Sequence, residues 1–347
     1  MNKKDIDAVK QLLSSPQNIV VIPHRNPDGD AMGASLAMYH YLEAIGHRVT
    51  VVAPNDYPDF LKWLPGSKCV RKFDMQNWQS KEAIDLANLI FLMDFNALHR
   101  VGSDMEQTLS QYIGTYVMID HHQQPEDVAT YLFSDPAIPA TCQMVYQLLD
   151  AMDELDRIGP EIATCLYTGI MTDTGSFRFP STTSGTHAII ADLIDRGADN
   201  AAIHQQVYDT QTYERLQLLG CALKNMVLVD TLKTAYVTLT QQELDEYNYQ
   251  KGDTEGIVNY ALSLRGIIFA AIFIEDAEQQ LVKISFRSKG SFSVNTFARN
   301  HFNGGGHDNA AGGKSILPLD TTVSKFLNLL PSYKDALLHS LKLKRPS

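Results

Sequence analysis

Short apolar runs rich in β-branched residues alternate with helix-patterned stretches through the first half of the chain. Residues 18–23, with Ile19-Val20-Val21-Ile22 at their centre, predict a buried strand. Residues 31–45 follow with small and apolar side chains at helical spacing and Gly46 as a stop, and 48–53 reads as the next strand. Further strands are predicted at 89–93 and 115–119, with helices near 107–112, 141–150 and 162–171. Strands alternating with helices favour an α/β fold in which a mainly parallel sheet is covered on both faces. Ligands of such sheets bind beyond the carboxyl ends of the strands.

From about 183 to 227 the pattern is mostly helical. Residues 184–195 end at Arg196-Gly197, and 211–226 carry Leu216, Leu218, Leu219, Ala222 and Leu223 at spacings that suit a connecting helix. Beyond it, strands are predicted at 234–239, 266–274 and 281–286, and helices near 241–247, 255–261, 294–300 and 323–330. The expected organisation is a larger α/β domain at 1–195, a helical linker at 196–228 and a smaller α/β domain at 229–347. No internal repeat or low-complexity tract interrupts it.

Composition narrows the class. A chain of 347 residues, 44% hydrophobic and 20% charged, suits one large or two ordinary domains with their own cores. No apolar run approaches a membrane span, and the first seven residues lack the apolar centre of a secretory signal, so the expected address is the cytoplasm, with no membrane partner. The cysteines, Cys69, Cys142, Cys165 and Cys221, lie far apart and form no Cys-x-x-Cys pair, which predicts buried, reduced side chains rather than disulfides or a thiolate zinc site. The net charge of −11 argues against a basic face that grips a long duplex. A short substrate held locally is compatible; a long one is less so.

Four clusters of acids and histidines carry the candidate chemistry: His24-Arg25-Asn26-Pro27-Asp28-Gly29-Asp30, then Asp94, then Asp120-His121-His122, then Met171-Thr172-Asp173-Thr174-Gly175. Each sits just past a predicted strand or helix. Carboxylate oxygens mixed with imidazole nitrogens suit two neighbouring divalent ions that hold a phosphate and a water between them. Pro27 and Gly29 tighten the first segment so that Asp28 and Asp30 can serve different ions; an Asx-rich turn is the plainer alternative. Asp94 and Asp173 are each readable as a helix cap, and adjacent histidines as surface residues. In the triplet one histidine can take metal while the other faces phosphate, with Asp120 orienting an imidazole. Farther on, Gly304-Gly305-Gly306-His307 reads as a loop whose amides can approach an anion, and Arg287-Ser288 adds a guanidinium fork; a plain glycine loop and a surface ion pair are the alternatives.

Taken together and in order, His24-x-x-x-Asp28-x-Asp30, Asp94, Asp120-His121-His122, Asp173 and Gly304-Gly305-Gly306-His307 with Ala310-Ala311-Gly312 resemble the DHH phosphoesterases that carry a DHH-associated C-terminal domain. Within that family the pattern is most similar to the NrnA-like nanoRNases, which join oligoribonuclease activity to phosphatase activity on 3'-phosphoadenosine 5'-phosphate. The resemblance implies a DHH domain, a helical linker and a smaller domain, with the active site in the cleft between domains. By that resemblance His24, Asp28 and Asp94 would bind one Mn²⁺, and Asp30, Asp94, His121 and Asp173 the other, with Asp94 bridging and Mg²⁺ or Co²⁺ as substitutes. His122 would contact the scissile phosphate, Asp120 would orient it, and Arg100 would support the substrate or the metal-site loop. Arg287, Ser288, Gly305, Gly306 and His307 match the family's substrate-binding positions. Phe95-Asn96 departs from the small hydroxyl residues frequent after the family's bridging aspartate, which puts surrounding detail in doubt.

The implied partners are short single-stranded RNA or DNA and the adenosine bisphosphate, with a homodimer suggested by resemblance only. A RecJ-like single-strand exonuclease, a cyclic or linear dinucleotide phosphodiesterase and a family II pyrophosphatase are the rival enzymes. A nucleotide-sensing module that has lost catalysis is the rival from another class, and the complete ligand set argues against it. The basic tail Lys342-Leu343-Lys344-Arg345 reads as a solvated terminus rather than a substrate contact.

Overall fold

A computed structural model describes residues 2–340, so the basic tail lies outside the described residues. The chain divides after Thr210 into two compact units.

The first unit runs α1 (Lys3–Leu12), β1 (Asn18–Pro23), α2 (Gly29–Ala44), β2 (Arg48–Ala53), β3 (Arg71–Lys72), α3 (Asn77–Asp85), β4 (Leu89–Met93), α4 (Ser103–Leu109), β5 (Thr115–Asp120), β6 (Tyr131–Ser134), α5 (Thr141–Ala151), α6 (Pro160–Asp173), α7 (Ser184–Asp195) and α8 (Asn200–Tyr208). Its six strands are all parallel, in the order β3-β2-β1-β4-β5-β6. Chain order reverses between β1 and β4, so the connections leaving these neighbours diverge and open a crevice at their carboxyl ends. The strands are apolar on both faces because both are covered. Ile19, Val21, Phe91, Met93, Val117 and Ile119 pack toward α2, α5 and α6. Val20, Ile22, Ile90, Leu92 and Met118 pack with Ile84 of α3 and Met105 and Leu109 of α4.

Helix α2 is buried along most of its length, and two glycines let its neighbours approach. A Cβ on Gly33 would lie 2.5 Å from the carbonyl oxygen of Cys165 on α6, and one on Gly169 would lie 2.1 Å from Cys142 Sγ on α5. Glycine inside a helix costs about 1 kcal/mol relative to alanine. Here close helix contact offsets that cost and brings the ends of α2, α5 and α6 together.

The second unit runs α9 (Tyr213–Lys224), β7 (Val227–Val229), β8 (Thr234–Leu239), α10 (Gln241–Glu246), α11 (Ile257–Ser263), β9 (Phe269–Asp276), β10 (Leu281–Ser288), α12 (Val294–His301), β11 (Gly305–His307), β12 (Ala310–Ser315), α13 (Leu319–Leu329) and α14 (Lys334–His339). Its strands order as β11-β12-β10-β9-β8-β7, with only β8 and β9 parallel. One face holds an aromatic core in which Phe269 meets Phe297 and Phe273 meets Phe326, both at 5.1 Å between ring centroids. The other face packs Leu218 and Ala222 of α9 against Val237 and Ile272.

Three sequence expectations are revised. The stretch read as a linker is shared between the units: Ile203 and Val207 of α8 join the first core, and α9 joins the second. The glycine run at 304–313, expected as a loop whose amides approach an anion, forms the β11–β12 hairpin. Among the cysteines, all free, Cys142 and Cys165 are buried and Cys221 is half-buried, but Cys69 is exposed at the end of a 3₁₀ turn on the surface. No helix among the described residues is long and apolar enough to cross a membrane.

Candidate metal centre

The four clusters converge at the carboxyl ends of β1, β4 and β5 and the end of α6. Leaving β1, the chain turns at Pro27 and starts α2 with Asp28 as its N-cap, whose Oδ1 accepts from the amides of Asp30 and Ala31, both at 3.1 Å. The Asx turn is therefore present, and it uses Oδ1 alone. Asp28 Oδ2 lies 3.8 Å from His24 Nε2, and Asp94 Oδ2 lies 3.6 Å from the same nitrogen.

Asp94 ends β4 with φ of 66°, a left-handed conformation for a residue that bears a side chain. Such a residue stores on the order of 1–3 kcal/mol, which the surroundings must hold. Its amide donates to Ile119 O at 3.0 Å on the adjacent strand. It is not a helix cap; the 3₁₀ turn that follows begins after Ala97. Oδ1 faces the other way from Oδ2, with His121 Nε2 at 3.5 Å and His122 Nδ1 at 3.7 Å. Asp94 therefore belongs to each of three groups whose donor atoms lie within 4.8 Å of one another: His24 with Asp28, Asp30 with His121, and Asp120 with His122.

The imidazoles are aimed by acceptors that leave no choice of tautomer. His24 Nδ1 lies 2.9 Å from Arg25 O, and His121 Nδ1 lies 3.0 Å from Ile138 O. A carbonyl oxygen only accepts, so each Nδ1 carries a proton and each Nε2 turns toward carboxylates. For His121 these are Asp173 Oδ2 at 3.4 Å and Asp30 Oδ2 at 3.8 Å, besides Asp94. His122 Nδ1 instead pairs with Asp120 Oδ1 at 2.7 Å. The other oxygen, Asp120 Oδ2, is buried with no hydrogen-bond partner among the described residues.

Without a cation the cluster balances itself with protons. Burial works against charging His24, but Asp28 and Asp94 prevail and push it up to about 10. Burial likewise opposes charging His121, and Asp173, Asp94 and Asp30 raise it to about 9. Asp30 is pushed well above the usual carboxylate range by burial, then by Asp94 and Asp173. Burial also raises Asp173, to about 6, with Asp28 and Asp94 adding to the shift. Asp94 goes the other way, because His24, His122 and His121 outweigh its burial and hold it well below the ordinary value. Five aspartates and three histidines crowded in this manner call for bound positive charge, and an oxygen and nitrogen donor set suits a divalent cation.

Neighbouring segments hold the aspartates in place. Asp30, on the first turn of α2, accepts from the amides of Thr141 at 2.6 Å and Cys142 at 2.9 Å, at the start of α5. Thr141 Oγ1 donates to Asp94 Oδ1 at 2.8 Å. Asp173 closes α6, and the next residues reverse hand: Gly175, Ser176 and Phe177 have φ of 58°, 59° and 63°. That turn is fixed by Ser176 N donating to Met171 O at 2.7 Å and by the Phe177 ring lying 5.8 Å from both Tyr167 and His187. Arg100 has a half-buried side chain, and its carbonyl accepts from Arg25 N at 2.8 Å, tying the loop after β4 to the loop after β1. Phe95 is buried in the core beneath the sheet, while Asn96 Nδ2 donates to Gln123 O at 2.7 Å.

Sequence reasoning missed Thr141 and Cys142. Ala140-Thr141-Cys142 opens a helix, but nothing local signals that its partners lie at Asp94 and Asp30.

In the second unit the candidate residues also serve their own fold. Arg287 is half-buried on β10, with Nη1 donating to Phe286 O at 3.0 Å. Ser288 is buried; its hydroxyl donates to Phe292 O at 2.6 Å and accepts from Asn309 Nδ2 at 2.8 Å. Gly305, Gly306 and His307 form β11, half-buried. The Gly306 amide donates to Asn295 Oδ1 at 3.1 Å and is not free for an anion. Its φ of 147° and the 2.5 Å that would separate a Cβ from Ala310 O explain why this position is glycine.

Residues 18–170 match the DHH family, N-terminal domain, and residues 230–331 match the DHHA1 domain. The bifunctional oligoribonuclease and PAP phosphatase NrnA of Thermus thermophilus is 31% identical over 297 residues, 85% of this chain and 83% of that protein. The chain belongs to the DHH family. A structure from Bacteroides fragilis, described as an exopolyphosphatase-related protein, superposes with a TM-score of 0.92 at 39% identity, over 97% of this chain and 98% of that one. RecJ of Thermus thermophilus in complex with Mn²⁺ shares the fold alone, with a TM-score of 0.51 at 13% identity over 99% of this chain and 55% of its own. DHH-family phosphoesterases are metal-dependent, and the donor set of this DHH domain fits that chemistry.

Proposed function

We propose that this DHH-family protein hydrolyses short oligoribonucleotides to mononucleotides and removes the 3'-phosphate from 3'-phosphoadenosine 5'-phosphate, with two Mn²⁺ ions. The observation that carries the reading is Asp94, whose two oxygens face different imidazoles, Oδ2 toward His24 and Oδ1 toward His121. A bridging carboxylate needs that disposition. His24, Asp28 and Asp94 would hold one ion, and Asp30, Asp94, His121 and Asp173 the other. A pair of divalent ions, when bound, polarises phosphoryl oxygens and lowers the pKa of a water that can attack phosphorus.

The chain's own residues do the rest. Asp120 accepts a hydrogen bond from His122 Nδ1, which leaves Nε2 to face the scissile phosphate and meet charge developing there. Arg100 steadies the loop behind Asp94 through its backbone link to Arg25. In the second unit Arg287, Ser288, Gly305, Gly306 and His307 are the proposed substrate contacts, supported by the DHHA1 match; Ser288 and Gly306 would act by shaping the hairpin, since their polar groups are engaged. The name of the Thermus thermophilus relative supports the choice of short RNA and the bisphosphate. Cytoplasmic residence and a homodimeric state belong to the same proposal.

The test incubates purified protein and Mn²⁺ with end-labelled RNA from dinucleotides to two dozen nucleotides, beside the adenosine bisphosphate. The expected result is fastest release of mononucleotides from the shortest chains, plus phosphate from the bisphosphate. Tight binding without product in saturating Mn²⁺ would replace the enzyme with a sensor.

A further inference from the structure

We infer that Thr141 is a positioning residue that sets the rotation of the Asp94 carboxylate, and that the first turn of α5 acts as a clamp on both aspartates shared or held at the back of the centre. The inference rests on the two-ion reading above. A carboxylate joined to its chain by freely turning bonds can present its oxygens to two sets of partners only if something fixes its plane. His24, His121 and His122 surround Asp94 at 3.5–3.7 Å, too far for short hydrogen bonds. The Thr141 hydroxyl, at 2.8 Å, is the close side-chain donor to Asp94, and it reaches Oδ1 from a residue with no exposed surface.

The same residue holds Asp30. Thr141 N and Cys142 N take one Asp30 oxygen each, so the free amides at the start of an 11-residue helix point at a carboxylate instead of water. A single rigid turn thereby holds Asp94, the carboxylate proposed to be shared, together with Asp30 beside His121. Its own position is set by packing: Cys142 Sγ fills the space beside Gly169, and α2, α5 and α6 meet there. Outer partners that orient ligating groups in this manner are commonly worth about 10–100-fold in metal affinity or activity.

The experiment uses the full chain with Thr141→Val, which keeps shape and loses the hydroxyl, and Thr141→Ser, which keeps the hydroxyl. Mn²⁺ uptake is followed by calorimetry and by electron paramagnetic resonance, which separates paired from isolated ions, and turnover is measured on a dinucleotide. Thr141→Val is expected to bind Mn²⁺ roughly 10–100-fold more weakly, to show the hyperfine signal of isolated ions, and to lose kcat with KM little changed. Thr141→Ser should restore all three. Should the valine variant fail to fold, Thr141→Ala is read against Thr141→Ser by the same measures. Wild-type affinity and coupling in the variant without a hydroxyl overturn the positioning role. A wild-type protein that takes up no Mn²⁺ pair overturns the functional reading as well, and so tells the two failures apart.

Discussion

The two sides of the candidate centre are built differently. On the outer side, His24 and Asp28 sit on a turn, and the Asp28 side chain is 50% exposed. On the inner side, Asp30 and His121 have side chains only 1% and 5% exposed, and Asp30 is gripped by backbone amides from a segment more than a hundred residues away. An aspartate on a turn can adjust to an arriving ion. Asp28 is held by the start of α2 through Oδ1 alone, whereas Asp30 gives both oxygens to buried amides, so the inner side is the more preformed and the outer side the more adaptable.

Removing what the sides share should have the largest effect. Asp94→Ala is expected to lower turnover by on the order of 10³-fold or more, since several kcal/mol of charge stabilisation depend on both ions. Counting bound Mn²⁺ alongside kcat checks it, and retention of two ions with normal rate would end the bridging assignment. Next comes a change outside both sides: His122→Ala should cost on the order of 10²-fold in kcat while leaving Mn²⁺ affinity near wild type. A parallel fall in metal affinity would move His122 into the ligand set. The contrast itself is sharpened by urea unfolding of the metal-free protein. Asp30→Ala orphans two buried amides and is expected to destabilise by about 2 kcal/mol after relief of repulsion from Asp94 and Asp173. Asp28→Ala loses only a helix N-cap, about 1 kcal/mol. Equal losses would erase the difference between the sides.

Much of the first unit was legible because its strands are short apolar runs. β1, β2 and β4 occupy the residues their β-branched patterns predict, and the motifs at His24, Asp94 and Asp120 fall where the parallel sheet opens. The short edge strands β3 and β6 were not foreseen, since two or four residues with mixed burial give no period to read. β11 and β12 were hidden by glycines, which are poor strand formers and serve here to let backbones approach. In the site, the charged residues announced themselves by type and spacing. Thr141 and Cys142 did not, because an amide and a hydroxyl acting across the fold leave no local mark. The left-handed conformation of Asp94 was equally invisible, being imposed by its neighbours on an ordinary aspartate.

The reversed turn at Gly175, Ser176 and Phe177 also governs where helix α6 can end. An ordinary helix terminus frays or lengthens by a residue at little cost, but here lengthening would require Gly175, Ser176 and Phe177 to give up the left-handed conformation that the turn's contacts hold. Asp173 is the last residue of α6, so fraying by one position would release it from the helix and from its place 3.4 Å from His121 Nε2. The turn therefore works as a mechanical stop that keeps one carboxylate in place with the rest.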